Sequence, residues 1–302
     1  MHPGIHRPTL DFDPPRKLPT EDRLLPWGVT DPWLSDPAAT KIAAQVNDRC
    51  YFLSLAQHLG HSLPGSRCFH SAPDFHHFLE TEPEISNMPW VLKAPLSAAG
   101  RNRIVHRPTD QDPGRHGPSE KSIRRLFHQH GSLLFEPWLE RIEDYGLLME
   151  VGSTGVNGEP QLHRQEIGPT GGFAGIELVP ELGLTQGQSD VVFQTARGVA
   201  ARLADDGYRG PVGIDFWTYR NKNGDIALHP LGEINARMTF GRVARAWTEA
   251  LFPSKDPDTH TFRLFFGPLE ETNSKLSERL PLLLPGRRLG ESESAWLEAT
   301  SG

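Results

Sequence analysis

The sequence has 302 residues, a formal net charge of −7 and a pI of about 6.1. It predicts one or two domains with a sizeable core, and it excludes the general positive field that nucleic acid binding uses. No apolar run approaches the ~18 residues of a membrane span, and Met1-His2-Pro3-Gly4 does not open a secretory signal. We therefore expect a cytoplasmic protein with neither a nucleic acid nor a membrane partner.

The chain opens with a segment rich in proline and charge over residues 1–45, including Pro14-Pro15-Arg16-Lys17-Leu18-Pro19. Such a segment cannot build its own core, so we expect an arm that lies extended on the domain or stays partly disordered. A helix is predicted from about Asn47 to Leu59, because apolar residues recur there at helical spacing.

Cys50 and Cys68 are the two cysteines, and they offer at most one disulfide. Cys50 lies in an apolar helical stretch, where a buried free thiol is the ordinary outcome. A zinc site formed with His70 and the His76-His77 pair is the alternative, although no C-x-x-C or H-E-x-x-H spacing occurs. We expect free thiols in a reducing compartment.

The middle of the chain alternates helices and strands. Helices are predicted over Ala72 to Leu79 and Lys121 to His130, and an exposed loop over Asn102 to Gly117. Tyr145 to Val151 and Gln161 to Ile167 are predicted to form a hairpin with its turn at Asn157-Gly158.

The clearest predicted helix runs from Asp190 to Asp205, with Ser189 as its N-cap and Gly207 closing it. Another helix is predicted from Gly241 to Leu251, and the tail from Ser254 is expected to be loop-rich. Antiparallel hairpins and capped helices without regular β-α-β alternation indicate an α+β fold.

Two strand-like runs surround a turn in the C-terminal third, Gly213 to Trp217 before it and Leu231 to Arg237 after it. A three-residue loop, Lys222-Asn223-Gly224, with Gly224 at positive φ, pairs positions whose numbers sum to 446. Glu233 then lies opposite Gly213 and diagonal to Asp215 on the same face, roughly 7–8 Å away at the backbone.

On this register Asp215, Glu233 and Asn235 share one oxygen-rich face. Two carboxylates repel each other unless a cation joins them, and oxygen ligands favour Mg²⁺, with Mn²⁺ as an alternative. A two-residue Asn223-Gly224 turn would instead put Asp215 and Glu233 on opposite faces. An ordinary solvated hairpin face also remains open.

The aspartate strand, the turn and Glu233-Ile234-Asn235 together resemble the metal-binding end of the ATP-grasp superfamily. Other motifs occur in the matching order over about residues 46–250. The opening helix of the family and its exit are similar to Val46-Asn47-Asp48-Arg49 and Leu59-Gly60-His61-Ser62-Leu63-Pro64. The strand of the phosphate-binding lysine is similar to Trp90-Val91-Leu92-Lys93-Ala94-Pro95, and the loop after it to Ser97-Ala98-Ala99-Gly100-Arg101. The adenine hinge is similar to Leu133-Leu134-Phe135-Glu136-Pro137-Trp138-Leu139.

This resemblance implies ATP and Mg²⁺ as cofactors and gives each matched residue a role. Its implied metal ligands are Asp215, Glu233 and Asn235. The implied nucleotide-binding residues are Arg49, Lys93 and Arg103 at the phosphates, Glu136, Trp138 and Leu139 at the hinge, and Asp144 at the ribose. Arg237 and Arg101 are the implied catalytic cations for the transferred phosphate, and an ion pair with Glu249 is the alternative for Arg237.

The resemblance also implies two α+β subdomains that grip a nucleotide, within an ATP-grasp domain over residues 46–250. Residues 251–302 are then a loop-rich C-terminal extension. The implied activity is an ATP-dependent carboxylate–amine ligase with small-molecule carboxylate and amine substrates. A nucleotide-binding sensor or scaffold without turnover, and an ATP-dependent small-molecule kinase, are the alternatives.

Overall fold

The computed structural model describes residues 37–97, 102–108, 118–168, 172–253, 259–266, 278–282 and 295–301. Within them the helices are α1 (Pro37–Val46), α2 (Arg49–His58), α3 (Ala72–Thr81), α4 (Pro83–Ser86), α5 (Glu120–His130), α6 (Gln186–Asp205) and α7 (Phe240–Leu251). The strands are β1 (Arg67–Phe69), β2 (Trp90–Lys93), β3 (Arg103–His106), β4 (Leu133–Pro137), β5 (Glu140–Val151), β6 (Val156–Ile167), β7 (Phe173–Leu178), β8 (Gly210–Arg220), β9 (Ile226–Asn235), β10 (His260–Phe266), β11 (Glu278–Leu282) and β12 (Ala295–Ser301).

The strands form two antiparallel sheets, which confirms the predicted α+β class. The smaller sheet has the order β1-β4-β2-β3, and the larger has the order β11-β12-β10-β7-β6-β5-β8-β9. Helix α2 contacts β4 of the small sheet and β9 of the large one. This helix therefore bridges the two sheets.

The small sheet carries an aromatic core covered by α3 and α5. Phe75 and Phe135 are fully buried there, and Phe75 packs edge-on against Trp90. Helix α3 begins at Ala72 as predicted, because the Ser71 hydroxyl accepts from the Asp74 amide at its first turn. These aromatic contacts pack β2 and β4 against the two helices.

The large sheet is covered by a different helix on each face. Helix α6 packs with Leu147 and Ile214 on one face, whereas α7 packs with Ile176 and Leu264 on the other. The start of α6 corrects the sequence analysis. Thr185, and not Ser189, is the N-cap, in a capping box completed by the Gln188 side chain.

The β5–β6 hairpin also departs from its prediction. The chain reverses at residues 152–155, where the Gly152 amide donates to the Gly155 carbonyl over 2.7 Å. Asn157-Gly158 lies inside β6, at a register shift between the pairs Leu148–Gln161 and Glu150–Asn157. The positive φ of Gly158, 78°, thus serves a bulge and not a turn.

The exposed loop predicted over Asn102 to Gly117 contains the strand β3, which pairs with β2. Two further segments expected to lack regular structure also contain it. Helix α1 occupies residues assigned to the proline-rich arm, because Ile42 and Ala43 pack against the large core and Val46 is fully buried in it. The tail expected to be loop-rich contributes β10, β11 and β12, and β10 pairs with β7. Apolar contact and strand pairing override the local composition in both places.

Cys50 and Cys68 are joined by a disulfide with a Cα–Cα distance of 5.8 Å, so the expectation of free thiols is wrong. The bond links α2 to β1 and excludes both cysteines from a zinc site. In the described part of the chain, no group of three or more His, Cys, Asp or Glu side chains is arranged to hold a metal. No helix of the described residues is long and apolar enough to span a membrane.

Candidate nucleotide and metal site

The β8–β9 hairpin has the turn that the sequence predicts. Gly224 has a φ of 88°, and Asn221 and Asp225 close the three-residue loop through an amide-to-carbonyl bond of 2.9 Å. Next to the turn, Trp217 pairs with His229, so the residue numbers sum to 446 as expected. The two-residue turn that would separate Asp215 from Glu233 is therefore excluded.

Further from the turn the register shifts and corrects one prediction. Asp215 lies directly opposite Glu233, not diagonal to it, and Gly213 lies opposite Asn235. Between Trp217 and Asp215 the strand β8 has one residue, whereas β9 has Pro230, Leu231 and Gly232 over the same stretch. The two additional residues preserve the face of each side chain and bring the carboxylates closer.

The residues of this bulge explain why it forms. Pro230 has no amide proton for the strand ladder, which favours irregular pairing at that position. Gly232 lies beneath the Trp217 ring, and a Cβ there would be 1.8 Å from Trp217 Cζ3. The indole therefore occupies the space that a side chain at position 232 would need in the shifted register.

Asp215 is held by two amide groups. Gln165 Nε2 donates to Asp215 Oδ1 over 2.7 Å, and Asn235 Nδ2 donates to Asp215 Oδ2 over 3.1 Å. Burial and the neighbouring Glu233 carboxylate raise the pKa of Asp215 to about 6. The negative charge of Glu233 on the same face therefore destabilises the Asp215 carboxylate, and a bound cation would reduce this repulsion.

Glu233 has the opposite electrostatic environment. Burial opposes its ionisation, but the charges of Arg49, Lys93 and Arg237 outweigh burial and lower the pKa of Glu233. Arg49 Nη2 donates to Glu233 Oε1 over 2.7 Å. Lys93, at the end of β2 in the small sheet, is therefore close enough to the β8–β9 hairpin of the large sheet to lower the pKa of Glu233.

The donor set fits a hard divalent cation. Asp215 and Glu233 supply carboxylate oxygens from paired positions on β8 and β9, and Asn235 adds an amide two residues further along β9. All three side chains are half-buried and so retain access to solvent. Oxygen-only ligands of this kind suit Mg²⁺ or Mn²⁺ better than zinc.

Lys93 and Glu136 form an ion pair at the small sheet. Lys93 is the last residue of β2 and Glu136 lies on the neighbouring strand β4, with 2.5 Å between Nζ and Oε2. The Glu136 side chain is only 6% exposed and that of Lys93 15%. The two residues therefore neutralise each other, whereas the sequence analysis assigned Lys93 to the phosphates and Glu136 to the adenine hinge.

Arg49 links three parts of the site. It begins α2, where its Nη1 donates to the Ala94 carbonyl over 2.6 Å and to Ser97 Oγ over 2.7 Å. Its Nη2 reaches Glu233. The guanidinium therefore joins the segment after Lys93 to strand β9, with the planar donor geometry that distinguishes arginine from lysine.

Arg237 lies beyond the end of β9 and contacts Asn235. Its Nη2 donates to Asn235 Oδ1 over 2.9 Å, and its Nη1 donates to the Met238 carbonyl over 3.1 Å. This places its charge beside the proposed metal ligands. Arg101, the other predicted catalytic cation, lies outside the described residues.

The remaining predicted nucleotide residues lie on β3, on β5 and in the connection between β4 and β5. Arg103 pairs with Lys93 in register, and its guanidinium faces the Trp138 ring at 5.9 Å. Leu139 is half-buried next to it, between β4 and β5. Asp144 is on β5, where it accepts from Arg141 over 2.7 Å, so the predicted ribose ligand is engaged in an ion pair.

Three polar residues of the site received no role from the sequence. Gln165 bonds to Asp215, and its position has no distinctive local pattern. Ser97 bonds to Arg49 and opens one of the matched motifs, but it received no role of its own. Asn47 also lies in a matched motif. Its side chain donates to the Ala236 carbonyl over 3.1 Å and accepts from the Ala236 amide over 2.9 Å, which anchors the end of β9.

Comparison with solved structures identifies the fold. The ADP complex of purK, an N5-carboxyaminoimidazole ribonucleotide synthetase, has a TM-score of 0.56 at 14% identity over 87% of this chain and 69% of that chain. The N5-carboxyaminoimidazole synthetase from Staphylococcus aureus complexed with ADP has a TM-score of 0.58 at 11% identity, over 87% of this chain and 69% of that chain.

A third similar structure is the biotin carboxylase domain of the Hydrogenobacter thermophilus 2-oxoglutarate carboxylase, in complex with MgADP, ADP and bicarbonate. Its TM-score is 0.56 at 12% identity, over 87% of this chain and 64% of that chain. No family model matches the sequence, and no curated protein matches it. The structural likeness shows that this chain has the ATP-grasp fold, as its sequence motifs predict.

Proposed function

We propose that this protein is an ATP- and Mg²⁺-dependent ligase that activates a carboxylate as an acyl phosphate for attack by an amine. The observation that carries the proposal is the direct pairing of Asp215 with Glu233 beside Asn235, with Arg49, Lys93 and Arg237 close enough to lower the pKa of Glu233. This arrangement combines an oxygen ligand set with three cations. The similar structures that contain ADP or MgADP support a nucleotide in the same fold.

The proposed metal ligands are Asp215, Glu233 and Asn235. When bound, Mg²⁺ neutralises phosphate charge and lowers the cost of moving negative charge during phosphoryl transfer. Asn235 Oδ1 accepts from Arg237 and Asn235 Nδ2 donates to Asp215, so the amide oxygen would be shared between Arg237 and the metal ion.

Lys93 and Arg49 are the proposed phosphate-binding residues. Both are paired with acids, Glu136 and Glu233 respectively, so binding of the nucleotide exchanges one anionic partner for another. A cation already held in place loses little side-chain freedom when it meets a phosphate. Trp138 and Leu139 lie next to the hinge backbone that we assign to adenine, and Asp144 is the proposed ribose acceptor.

In the proposed reaction, a substrate carboxylate oxygen attacks the γ-phosphorus of ATP, the bond to the β,γ-bridging oxygen breaks, and ADP leaves. An amine then attacks the acyl carbon, inorganic phosphate leaves with the bonding electron pair, and the amine loses a proton. We assign to Arg237, which contacts the proposed metal ligand Asn235, the stabilisation of negative charge on the transferred phosphoryl group or on the acyl phosphate. No covalent protein nucleophile is required.

An ADP-release assay with Mg²⁺ across pools of amino acids, small peptides and hydroxy acids tests this proposal. A ligase requires a carboxylate for ADP release, and added hydroxylamine traps its acyl phosphate as a hydroxamate. Release with a hydroxy acid and formation of a phosphate ester would instead identify a kinase. Nucleotide binding with no release from any pool would favour a sensor or scaffold.

A further inference from the structure

Gln165 reaches Asp215 from two strands away. Gln165 lies on β6 and Asp215 on β8, with β5 between them in the large sheet. Neighbouring strands are about 4.8 Å apart, so the two backbones are separated by about 10 Å. The Gln165 amide nevertheless donates to Asp215 Oδ1 over 2.7 Å, so it must cross the face of β5.

Gly146 opens the path across β5. It lies opposite His163 of β6 on one side and opposite Asp215 of β8 on the other. A Cβ at Gly146 would be 3.1 Å from Gln165 Nε2 and 2.2 Å from His163 Nε2. A Cβ at position 146 would overlap the His163 ring and crowd the Gln165 amide, so glycine at this position leaves room for Gln165 to reach Asp215.

The hydrogen bond orients the carboxylate. Asp215 Oδ1 accepts from Gln165 and Oδ2 accepts from Asn235, so the two oxygens are held from different strands. Each oxygen retains a further lone pair, whose direction is set once the carboxylate cannot rotate. Hydrogen bonds to a ligating carboxylate commonly decide how well it binds its metal.

Resting on the function proposed above, we infer that Gln165 is a positioning residue that orients Asp215 for the divalent cation. Its amide is suited to the task because it donates without carrying charge. A lysine at this position would neutralise Asp215 and repel the cation, whereas a glutamate would repel Asp215 itself. Gln165 acts through Asp215 and is not itself a proposed metal ligand.

Two substitutions separate hydrogen bonding from packing. Gln165→Met keeps the length and approximate volume of the side chain but removes the donor. Gln165→Asn keeps the donor but shortens the side chain by one methylene, which moves it out of reach of Asp215. The matched control is Gln161→Met, because Gln161 lies on the same strand and face but is exposed.

The readout is Mn²⁺ affinity, measured by electron paramagnetic resonance on full-length protein in excess ADP, together with the unfolding temperature of each ligand-free variant. Removal of an outer-shell hydrogen bond commonly weakens metal binding by about 10- to 100-fold. We expect both Gln165 variants to weaken Mn²⁺ binding about 10-fold or more. Gln161→Met should bind like the parent.

The outcomes distinguish this inference from the proposed function. If the parent with ADP binds no Mn²⁺, both the metal assignment and the role of Gln165 are overturned. If the parent binds Mn²⁺ and Gln165→Met binds it equally well, only the positioning role is overturned. Loss of affinity in Gln165→Asn alone would likewise overturn it, because that pattern indicates a requirement for volume and not for a donor.

Discussion

Arg49 and Glu233 form an ion pair of 2.7 Å between residues separated by 184 positions in the chain. One is a proposed phosphate ligand and the other a proposed metal ligand. Each therefore has a partner of opposite charge before nucleotide and metal arrive. The pair connects α2 with β9 and neutralises one charge of each sign within the site.

This pairing gives a specific expectation for Glu233→Gln. The substitution removes a metal ligand's charge and releases Arg49 from its ion pair, so ATP binding without Mg²⁺ should not weaken. Turnover should fall by a factor of about 10² to 10³, the usual effect of removing one electrostatic element that stabilises a transition state. Steady-state rates and calorimetry without Mg²⁺ measure the two effects.

The matched control for Glu233→Gln is Glu143→Gln, because Glu143 is exposed and pairs with Arg164 outside the site. It should leave both turnover and ATP affinity unchanged. Full turnover by Glu233→Gln would remove Glu233 from the proposed catalytic metal ligands.

Lys93→Met should weaken ATP binding by about 1.5–3 kcal/mol, the value of a charge-assisted hydrogen bond. Lys93 is mostly buried against Glu136, so methionine keeps the packing of the aliphatic stem while the charge is lost. Calorimetric titration with MgATP measures the change. Lys222 lies at the exposed hairpin tip, so Lys222→Met should bind MgATP as tightly as the parent. If Lys93→Met binds MgATP as tightly as Lys222→Met, a phosphate role for Lys93 is refuted.

The Cys50–Cys68 disulfide predicts a stability that depends on reductant. The cross-link closes a loop with a sequence separation of 18, and removal of such a constraint costs about 3 kcal/mol by loop-closure entropy. Urea denaturation with and without dithiothreitol measures the difference. The Cys50→Ala/Cys68→Ala double variant should show no dependence on reductant, and equal stability of the oxidised and reduced parent would contradict the prediction.

Two buried histidines predict that acid destabilises the fold. His163 and His229 are 3% and 6% exposed, and burial is the main reason that the pKa of each falls from 6.5 to about 3. The unfolded chain therefore binds protons near neutral pH that the folded chain does not. The free energy of unfolding should fall as pH drops below 6.5, by up to about 1.4 kcal/mol per pH unit for each histidine.

Urea denaturation between about pH 7 and about pH 5 measures this dependence. Asp215, whose pKa is raised to about 6, contributes with the opposite sign in the same window, so the difference in slope between the parent and a histidine variant is the decisive quantity. His229→Gln should reduce the slope by the contribution of one histidine. A slope equal to that of the parent would show that His229 is not neutral in the folded protein.

The sequence predicted those features of the fold that depend on local chemistry. Gly224 determined the three-residue turn, and so the sequence predicted the register next to it and the shared face of Asp215 and Glu233. The shift that brings these residues directly opposite each other depends on Trp217 lying over Gly232, a contact between two strands. Pro230 was the one local sign of that irregularity.

Other features depend on contacts distant in sequence and could not be derived from spacing. Gln165 meets Asp215 across a third strand, and Cys50 meets Cys68 because α2 packs against β1. Asn157-Gly158 has the composition of a turn but forms a bulge, because the chain has already reversed at residues 152–155. In each case tertiary packing selected among conformations that the local sequence permits.

Calorimetric titration of ATP into the protein, with Mg²⁺ and with a chelator in its place, tests the central claim most directly. The proposed ligands Asp215, Glu233 and Asn235 bind nucleotide through the ion, whereas Arg49 and Lys93 remain paired with acids in its absence. We therefore predict clear binding with Mg²⁺ and weak binding without it. Equal affinity in both conditions would contradict the assignment of this hairpin as a metal site.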